Sequence, residues 1–321
     1  MMHPVCVYTG EELATYHFGS DHPFGPLRLP SFMQQLNTSG LVEKVCLRKA
    51  QMASRAAIET FHDKDYVLKV ERLSHFGAGM LDQGDTPAFR GMYEAASYVA
   101  GSVLDAIQQI IQGQCRYAFI PIAGLHHARR HSAAGFCVFN DCGIAIEQLR
   151  RVYAINKVAY IDIDAHHGDG VFYSFVDDPD LCFVDFHEDG QYLYPGTGAV
   201  QETGKGEALG TKLNIPMPPG ADDQLFMQKW PEAERFIEQS DPEFILLQCG
   251  ADSIKGDPIT HLCYSSETHA FVARRLKTLA EKLCGGRLLV MGGGGYNLDN
   301  IATAWCAVVE SLLSSDQAMG S

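Results

Sequence analysis

Short apolar runs recur along this chain with helical patterns between them, and this alternation limits the fold more than any other feature. The runs are rich in β-branched and aromatic residues, which is typical of strands. They are VCVY from residue 5, RYAFIPIA from 116, KVAYIDID from 157, LCFVDF from 181, FILLQCG from 244 and RLLVMGG from 287. Helical periodicity lies between most of them, over residues 91–112, 140–151, 222–238, 265–283 and 298–313. We therefore predict an α/β fold with a mostly parallel central sheet flanked by helices.

One domain over residues 1–321 is the predicted organisation. The composition is 46% hydrophobic and 20% charged, which suffices for a buried core. No repeat, low-complexity tract or linker interrupts the pattern, and the Gly- and Pro-rich stretch 195–220 is predicted to be a long loop. In an open parallel sheet ligands bind beyond the carboxyl ends of the strands, so we expect the active site there.

Charge and cysteine content argue against several functional classes. Acidic residues outnumber basic ones 39 to 25, for a net charge of −14, and no Lys/Arg cluster is present, so direct nucleic-acid binding is not expected. No apolar stretch has the length of a membrane span, and the first residues do not resemble a secretory signal. The ten cysteines are scattered without a CxxC pair, which predicts a reduced, cytoplasmic location. An oligomer is compatible with the sequence, which does not predict its state.

The segment YIDIDAHHGDG carries an apolar strand into a dense group of ionisable side chains. Alternation along the strand directs Asp162, Asp164 and, if the strand continues, His166 to the same side. Carboxylates so close would repel each other unless a cation or hydrogen bonds stabilise their charge. Each residue alone is more often a turn acid or a core histidine, but the combined pattern favours a divalent metal site.

A second strand, FILLQCG, leads into Asp252. Alone, this residue is equally well explained as a turn acid. Together with Asp164 and His166 it would supply three oxygen and nitrogen ligands and leave one coordination position open, which is the pattern of a catalytic zinc site. The same ligands also suit Fe²⁺, Co²⁺ or Mn²⁺.

Two adjacent histidines, His126 and His127, follow the strand RYAFIPIA in the segment GLHHARRHSAAGFCVFND. A solvated loop is the alternative interpretation. Imidazole titrates near neutral pH, so such a ring is suited to take a proton from water and return it to a leaving group. Asp162 and Asp169 are natural partners for the two rings, because a carboxylate fixes the tautomer of a histidine and raises its basicity.

The segment LLVMGGGGYNL ends a further strand. It lacks the GK[ST] ending of a P-loop and the GxGxxG spacing of a dinucleotide site, so nucleotide binding is not expected. Glycines allow close approach of the backbone, and Tyr296 could then donate a hydrogen bond to a developing oxyanion.

The chain resembles the metal-dependent histone deacetylase family of the arginase–deacetylase superfamily, which includes bacterial acetoin-utilization-type deacetylases. The resemblance lies in motifs that run in family order along nearly the whole chain. They are HPFGPLRL, FHDKDYV, GDTPAF, GLHHARRHSAAGFCVFND, YIDIDAHHGDGV, YPGTG, LNIPMPPG, QCGADSIKGDP and GGGGYNL. This resemblance implies the arginase–deacetylase fold in a single catalytic domain.

The resemblance also implies roles for the residues at the strand ends. The metal ligands that it implies are Asp164, His166 and Asp252. The proton-transfer residues that it implies are His127 with Asp169, as general base and acid, and His126 with Asp162, as electrostatic support. The residue that it implies for polarising the substrate carbonyl is Tyr296.

Substrate-binding residues follow from the same resemblance. Gly135, Phe136 and Tyr194 look like the walls of the family's acyl-lysine tunnel, where aromatic rings would hold an aliphatic stem. The Tyr194 position is often phenylalanine in the family, so the hydroxyl here could narrow or polarise the entrance. Asp85 in GDTP looks like the rim carboxylate that holds the substrate backbone, and Arg28 resembles the arginine that lines the acetate exit.

The family also has a monovalent cation site beside the catalytic metal. By resemblance, a structural potassium ion would be held by Asp162, Asp164, His166, Asp185 and Phe186. Asp185 stands where eukaryotic members commonly have a serine, which departs from the family pattern. His167 has no role under the resemblance and is expected to be structural.

These patterns predict a zinc-dependent amidohydrolase that removes acetyl groups from acetylated lysine side chains, with Fe²⁺ or Co²⁺ as alternatives to Zn²⁺. Acetylpolyamines and other small acetylated amines are the second substrate class, because they present the same acetamide on a flexible stem. A dimanganese ureohydrolase is less favoured, since it needs a DxD pair where this chain has ADS around Asp252. A catalytically silent acetyl-binding module is also less favoured, because no ligand, base or tyrosine has been lost.

Overall fold

The computed structural model describes residues 3–314, which contain eight strands and ten α-helices. The strands are β1 His3–Thr9, β2 Cys46–Lys49, β3 Cys115–Ile120, β4 Val158–Asp162, β5 Leu181–Glu188, β6 Lys212–Met217, β7 Phe244–Gln248 and β8 Leu288–Met291. The helices are α1 Glu11–Ala14, α2 Arg28–Thr38, α3 Arg55–Ile58, α4 Lys64–Phe76, α5 Met92–Ile111, α6 Asp141–Tyr153, α7 Asp169–Ser174, α8 Asp223–Ser240, α9 Ser266–Cys284 and α10 Leu298–Leu313. None of these helices is long and apolar enough to cross a bilayer.

All eight strands pair in parallel within one sheet, in the order β2-β1-β3-β8-β7-β4-β5-β6. Every residue of β4, β5, β7 and β8 is buried. Strands covered by helices on both faces have no solvated side, so they appear in the sequence as unbroken apolar runs. The predicted α/β architecture with a parallel central sheet is confirmed.

The sequence pattern misses two strands, and both lie at the edges of the sheet. β2 is four residues long, and its side chains alternate between half-buried and exposed. β6 lies inside the stretch 195–220, so the prediction of a long loop there is wrong. It begins with Lys212 and contains Pro216. An edge strand tolerates such residues because one side of its backbone has no neighbour to bond, and the same residues hide it from a search for apolar runs.

The predicted helices form as α5, α6, α8, α9 and α10, and the start of α6 bears directly on the strand ends. The side chain of Asn140 caps α6 by accepting a hydrogen bond from the N–H of Gly143. Its amide nitrogen donates to the backbone oxygens of His126 and Ala128, at 3.1 and 2.8 Å. The helix cap therefore also holds the segment that contains the two adjacent histidines.

Four neighbouring strands, in the order β3, β8, β7 and β4, end at the same edge of the sheet. Each leads into one of the polar segments, which are residues 121–127, 292–296, 249–252 and 163–169. Because the strands are parallel, side chains from four distant parts of the chain meet at this edge.

Candidate active site

A buried group of two carboxylates and one imidazole lies where β4 and β7 end. It consists of Asp164, His166 and Asp252, whose ligand atoms all lie within 4.8 Å of one another. The Nδ1 atom of His166 is 3.1 Å from Asp164 Oδ1 and 3.1 Å from Asp252 Oδ2. The structure thus brings together the three predicted metal ligands in a group that could hold a metal ion.

The pKa values of this group reflect its excess of negative charge. Burial and the charge of Asp164 raise the pKa of Asp252 to about 7. Burial opposes ionisation of Asp164 as well, but the neighbouring His126 and His166 hold its pKa well below the usual value. Burial also opposes protonation of His166, yet the two carboxylates raise its pKa to about 10. The three side chains therefore attract a positive charge to the space between them.

Backbone and side-chain donors fix the orientation of these carboxylates. Asp164 Oδ2 accepts hydrogen bonds from Gln248 Nε2 and from the N–H of Gly294, both at 2.8 Å. A Cβ atom added at Gly250 would lie 2.1 Å from Asp164 Oδ2, and one at Gly294 would lie 2.1 Å from Asp252 Oδ2. Both positions therefore require glycine because the backbone runs directly against the ligand oxygens.

The two adjacent histidines each bond to a separate carboxylate. His126 Nδ1 is 2.7 Å from Asp162 Oδ2, and His127 Nδ1 is 2.8 Å from Asp169 Oδ1. The two Nε2 atoms lie 3.1 Å apart. The structure therefore contains both of the pairings that the sequence predicts, with all four side chains buried.

The surroundings shift the pKa values of the two rings in opposite directions. Burial lowers the pKa of His126, but Asp162 and Asp164 more than offset this and raise it to about 10. Burial and the charge of His126 lower the pKa of His127 to about 4, against the opposing effect of Asp169. His126 therefore holds a proton at neutral pH, whereas His127 is neutral and able to accept one.

Tyr296 follows β8 and is half-buried beside this group. Its N–H donates to Asp257 Oδ2 at 2.8 Å, which anchors the backbone at the end of the glycine run. Burial, together with the charges of Asp252 and Asp164, raises the pKa of the Tyr296 phenol well above its usual value. The hydroxyl therefore remains protonated and can donate a hydrogen bond.

The rings of Phe136 and Tyr194 both lie against residues of this site. The Phe136 ring is 5.8 Å from that of Tyr296, and the Tyr194 ring is 5.2 Å from that of His127. Phe136 has a φ of +66°, and its N–H donates to the hydroxyl of Thr86 at 3.1 Å. Tyr194 is 46% exposed, so its ring lies at the mouth of the site.

Asp85 and Arg28 differ in exposure. Asp85 is half-buried, and burial together with its neighbour Asp82 raises its pKa to about 6. Arg28 is fully buried, and its guanidinium donates to the backbone oxygens of Gly295 and Gly293 at 2.9 and 2.5 Å. Within residues 3–314 its Nη1 atom has no hydrogen-bond partner. Arg28 thus lies behind the glycine run, while Asp85 lies toward the surface.

Each oxygen of the Asp185 carboxylate has one hydrogen-bond partner. Its Oδ1 atom is 2.8 Å from His187 Nδ1, and its Oδ2 accepts the N–H of Gly168 at 2.8 Å. Phe186 is buried against Phe226, with ring centroids 4.4 Å apart. His167 bonds to the hydroxyl of Thr197 at 2.8 Å and is buried. A structural role for His167 stays a prediction.

Sequence reasoning missed two polar neighbours of the predicted site. Gln248 pairs with Asp162 across β7 and β4 and donates to Asp164. The Tyr160 hydroxyl donates to Asp162 Oδ2 at 2.6 Å. The only signal for Gln248 is that it is the single polar residue of the apolar run FILLQ, and Tyr160 has the appearance of an ordinary core aromatic residue.

Comparison with known proteins matches the histone deacetylase domain family over residues 22–312. The chain belongs to the histone deacetylase family. This chain is therefore a hydrolase that acts on acetylated amides, which is the enzyme class of that family. Its predicted membership and its predicted enzyme class are both confirmed.

Similar proteins and structures span most of the chain. Acetoin utilization protein AcuC of Bacillus subtilis is 37% identical over 92% of this chain and 78% of its own length. Histone deacetylase RPD3 of Saccharomyces cerevisiae is 31% identical over 94% of this chain and 70% of its own. The crystal structure of the HDA15 HD domain superposes with a TM-score of 0.87 at 26% identity, covering 96% of this chain and 89% of that one. The sheet and its flanking helices are therefore those of a histone deacetylase.

Proposed function

We propose that this histone deacetylase family member is a zinc-dependent deacetylase of acetylated lysine side chains. One observation carries the proposal: two histidines, each bonded to its own carboxylate, lie beside a buried group of metal-ligand type. This arrangement supports hydrolysis of an amide, which needs an activated water, a proton acceptor and a donor to the oxyanion.

Asp164, His166 and Asp252 would hold the zinc ion. They fit it because two carboxylates and an imidazole lie within reach of one centre, and their pKa values favour a positive charge between them. A bound divalent ion supplies Lewis-acid polarisation of the acetyl carbonyl and lowers the pKa of water. Fe²⁺ and Co²⁺ suit the same ligands.

His127 would move the proton. Its pKa of about 4 leaves the ring neutral, and the bond from Nδ1 to Asp169 leaves Nε2 as the accepting atom. His127 takes a proton from the attacking water and returns it to the departing amine nitrogen. The C–N bond then breaks, and acetate and a free amine are released. His126, which is protonated, adds positive charge next to the reacting atoms.

Tyr296 would donate its hydroxyl hydrogen to the carbonyl oxygen as negative charge develops there. Its raised pKa keeps the hydroxyl protonated, so that it can act as a donor. Phe136 and Tyr194 would hold the aliphatic stem between their rings, and Gly135 would leave space beside His127. Asp85 would accept a hydrogen bond from the substrate backbone at the mouth, and Arg28 would line the exit route for acetate.

A small acetylated amine, such as an acetylpolyamine, is the second candidate substrate. The observation that favours it is the carboxylate of Asp85 in the rim, which would attract a distal ammonium group. A dimanganese ureohydrolase has less support, because residues 3–314 contain a single group of three or more metal-ligand side chains. A silent acetyl-binding module has less support as well, because the proton-transfer pairs are intact.

We also propose a structural potassium ion at Asp162, Asp164, His166, Asp185 and Phe186, as the family resemblance implies. An ion there would share the carboxylate of Asp185 with His187. A cytoplasmic location is likewise a proposal, supported by ten cysteines that are all free thiols.

The decisive experiment compares substrates on the chain after removal of metal and reconstitution with Zn²⁺. We expect kcat/KM to rank acetyl-lysine peptides above acetylpolyamines and longer acyl-lysines, and Asp252→Asn to lose both zinc and activity. Polyamines ranking first would favour the second candidate. No turnover of any member of the panel by the zinc-loaded protein would contradict the proposal.

A further inference from the structure

A tight turn at residues 129–132 begins with two adjacent arginines. The N–H of Arg129 donates to the oxygen of Ser132 at 2.8 Å, which closes the turn. Arg130 lies over the ring of Phe61 at 4.6 Å and pairs with Glu147 at 2.9 Å. Arg129 instead lies over the ring of Tyr173 at 5.5 Å and pairs with Asp169. The two side chains therefore belong to different surroundings although they are adjacent in sequence.

Arg129 connects the surface to the carboxylate behind His127. Its Nη2 atom donates to Asp169 Oδ2 at 3.0 Å, while Asp169 Oδ1 is bonded to His127. The Arg129 side chain is 45% exposed, whereas that of Asp169 is 2% exposed. Within residues 3–314, Nε and Nη1 of Arg129 make no hydrogen bond. The guanidinium thus has donors left for a ligand.

Arg129 borders a surface pocket of about 500 Å³ beside the mouth of the site. Arg129, His131, Asp85 and Tyr194 are among the side chains that line it. Asp82, which also borders the pocket, is bonded to three N–H groups and to the hydroxyl of Thr86, so its charge is satisfied internally. The pocket therefore offers a ligand the free donors of Arg129 and the carboxylate of Asp85.

We propose that Arg129 is a specificity residue that binds a carboxylate of the substrate next to the acylated lysine stem. The inference rests on the proposed deacetylase function. A guanidinium recognises a carboxylate through a planar fork of donors, and its packing on Tyr173 limits the conformational freedom lost on binding. The carboxylate is either the α-carboxylate of the acetylated amino acid itself or the side chain of an acidic residue that follows it in a peptide.

Two pairs of substrates, each differing by one negative charge, test the proposal on the zinc-loaded full chain. The first pair is Nα,Nε-diacetyl-lysine and its α-carboxamide. The second is a capped tripeptide with Asp or with Asn after the acetyl-lysine. We expect kcat/KM to favour the charged member of at least one pair by about fivefold, the scale of a partly exposed ion pair. The pair that responds identifies the source of the carboxylate.

Variants of Arg129 distinguish recognition of the substrate carboxylate from the contact between Arg129 and Asp169. Arg129→Met and Arg129→Gln both remove the charge and should both reduce the charged-to-neutral ratio to about one. Any effect transmitted through Asp169 and His127 lowers kcat/KM for both members equally and leaves the ratio unchanged. Arg130→Met, which removes a charge from the same turn but does not border the pocket, should keep the wild-type ratio.

The inference fails if the wild-type protein hydrolyses both members of each pair equally well. It also fails if the preference survives undiminished in whichever Arg129 variant retains activity. Failure of the proposed function would give a different result, because the wild-type protein would then hydrolyse neither the charged nor the neutral acetyl-lysine compounds.

Discussion

The Nε2 atoms of His126 and His127 lie 3.1 Å apart, yet the carboxylates behind the two rings are held differently. Asp162 accepts from the Tyr160 hydroxyl inside the core, whereas Asp169 accepts from the partly exposed Arg129. The pKa of His126 is raised to about 10 and that of His127 lowered to about 4. The pKa values of two rings in contact are thus shifted in opposite directions, which suits the rings to different functions.

Replacing each histidine by alanine should expose this difference. His127→Ala should lower kcat by about 10²-fold or more, the usual scale for losing a general base. His126→Ala should cost less and should change the pH profile. The charge of His126 lowers the pKa of His127, so its removal raises that pKa and moves the acidic limb of kcat to higher pH. Equal losses with an unmoved acidic limb would contradict the assignment of roles.

Tyr296→Phe isolates the oxyanion donor. The variant keeps the ring that packs against Phe136 and removes only the hydroxyl. We expect kcat to fall by about 10²-fold. Zinc content, measured by atomic absorption, should be unchanged because the tyrosine is not among the ligand group. Tyr194→Phe is the matched control: it also removes one phenol hydroxyl, from a ring 5.2 Å from that of His127, and should change kcat by less than about threefold.

The sequence predicts the interior of this fold better than its margins. Strands such as β4 and β7 are buried on both faces, so their apolar runs are visible without any tertiary information. The edge strand β6 is not visible, because Lys212 and Pro216 interrupt its apolar pattern. Lys and Pro are tolerated in β6 because one side of its backbone is unpaired. The sequence alone does not show which strand lies at the edge of the sheet.

The site was predictable to the extent that its residues end apolar strands. Asp164, His166 and Asp252 needed only the rule that ligands bind beyond the carboxyl ends of parallel strands. Gln248 was not predictable, because its contact with Asp164 depends on β7 lying next to β4, and the sequence does not give the strand order. Asp85 and Arg28 lie far from any strand end in the chain, and the family resemblance alone pointed to them.

Gln248→Met should weaken zinc binding without removing a ligand. The amide donates to Asp164 Oδ2 at 2.8 Å, and its loss leaves that carboxylate less firmly oriented. Loss of such a supporting hydrogen bond typically raises the metal Kd by about 10- to 100-fold. Competition with a fluorescent chelator measures the Kd, and kcat at saturating zinc should recover much of its wild-type value. An unchanged Kd would show that Gln248 serves packing alone.

The raised pKa of Asp85 predicts that substrate binding depends on pH. Burial and Asp82 raise its pKa to about 6, and only the ionised carboxylate accepts a hydrogen bond from a substrate N–H at both oxygens. KM for an acetyl-lysine peptide should therefore fall as pH rises through about 6 and then level off. Asp85→Asn should remove this dependence and leave KM high at all pH values. A parallel fall in KM in both proteins would assign the titration to another group.

Gly135 tests how closely the backbone must approach His127. A Cβ at this position would lie 2.4 Å from His127 Cδ2, and the backbone has a φ of +52°. Gly135→Ala should therefore displace the ring from Asp169 and lower kcat by about 10²-fold, as expected when a general base is misplaced. Gly206→Ala is the matched control, since Gly206 has a φ of +57° but nothing within 4 Å of the added Cβ. The two glycines have similar φ values, so alanine should introduce similar backbone strain at both positions. If both variants show a similar fall in thermal unfolding temperature but only Gly135→Ala loses kcat, the loss is assigned to the contact with His127. Loss of kcat in both variants would assign it to strain instead.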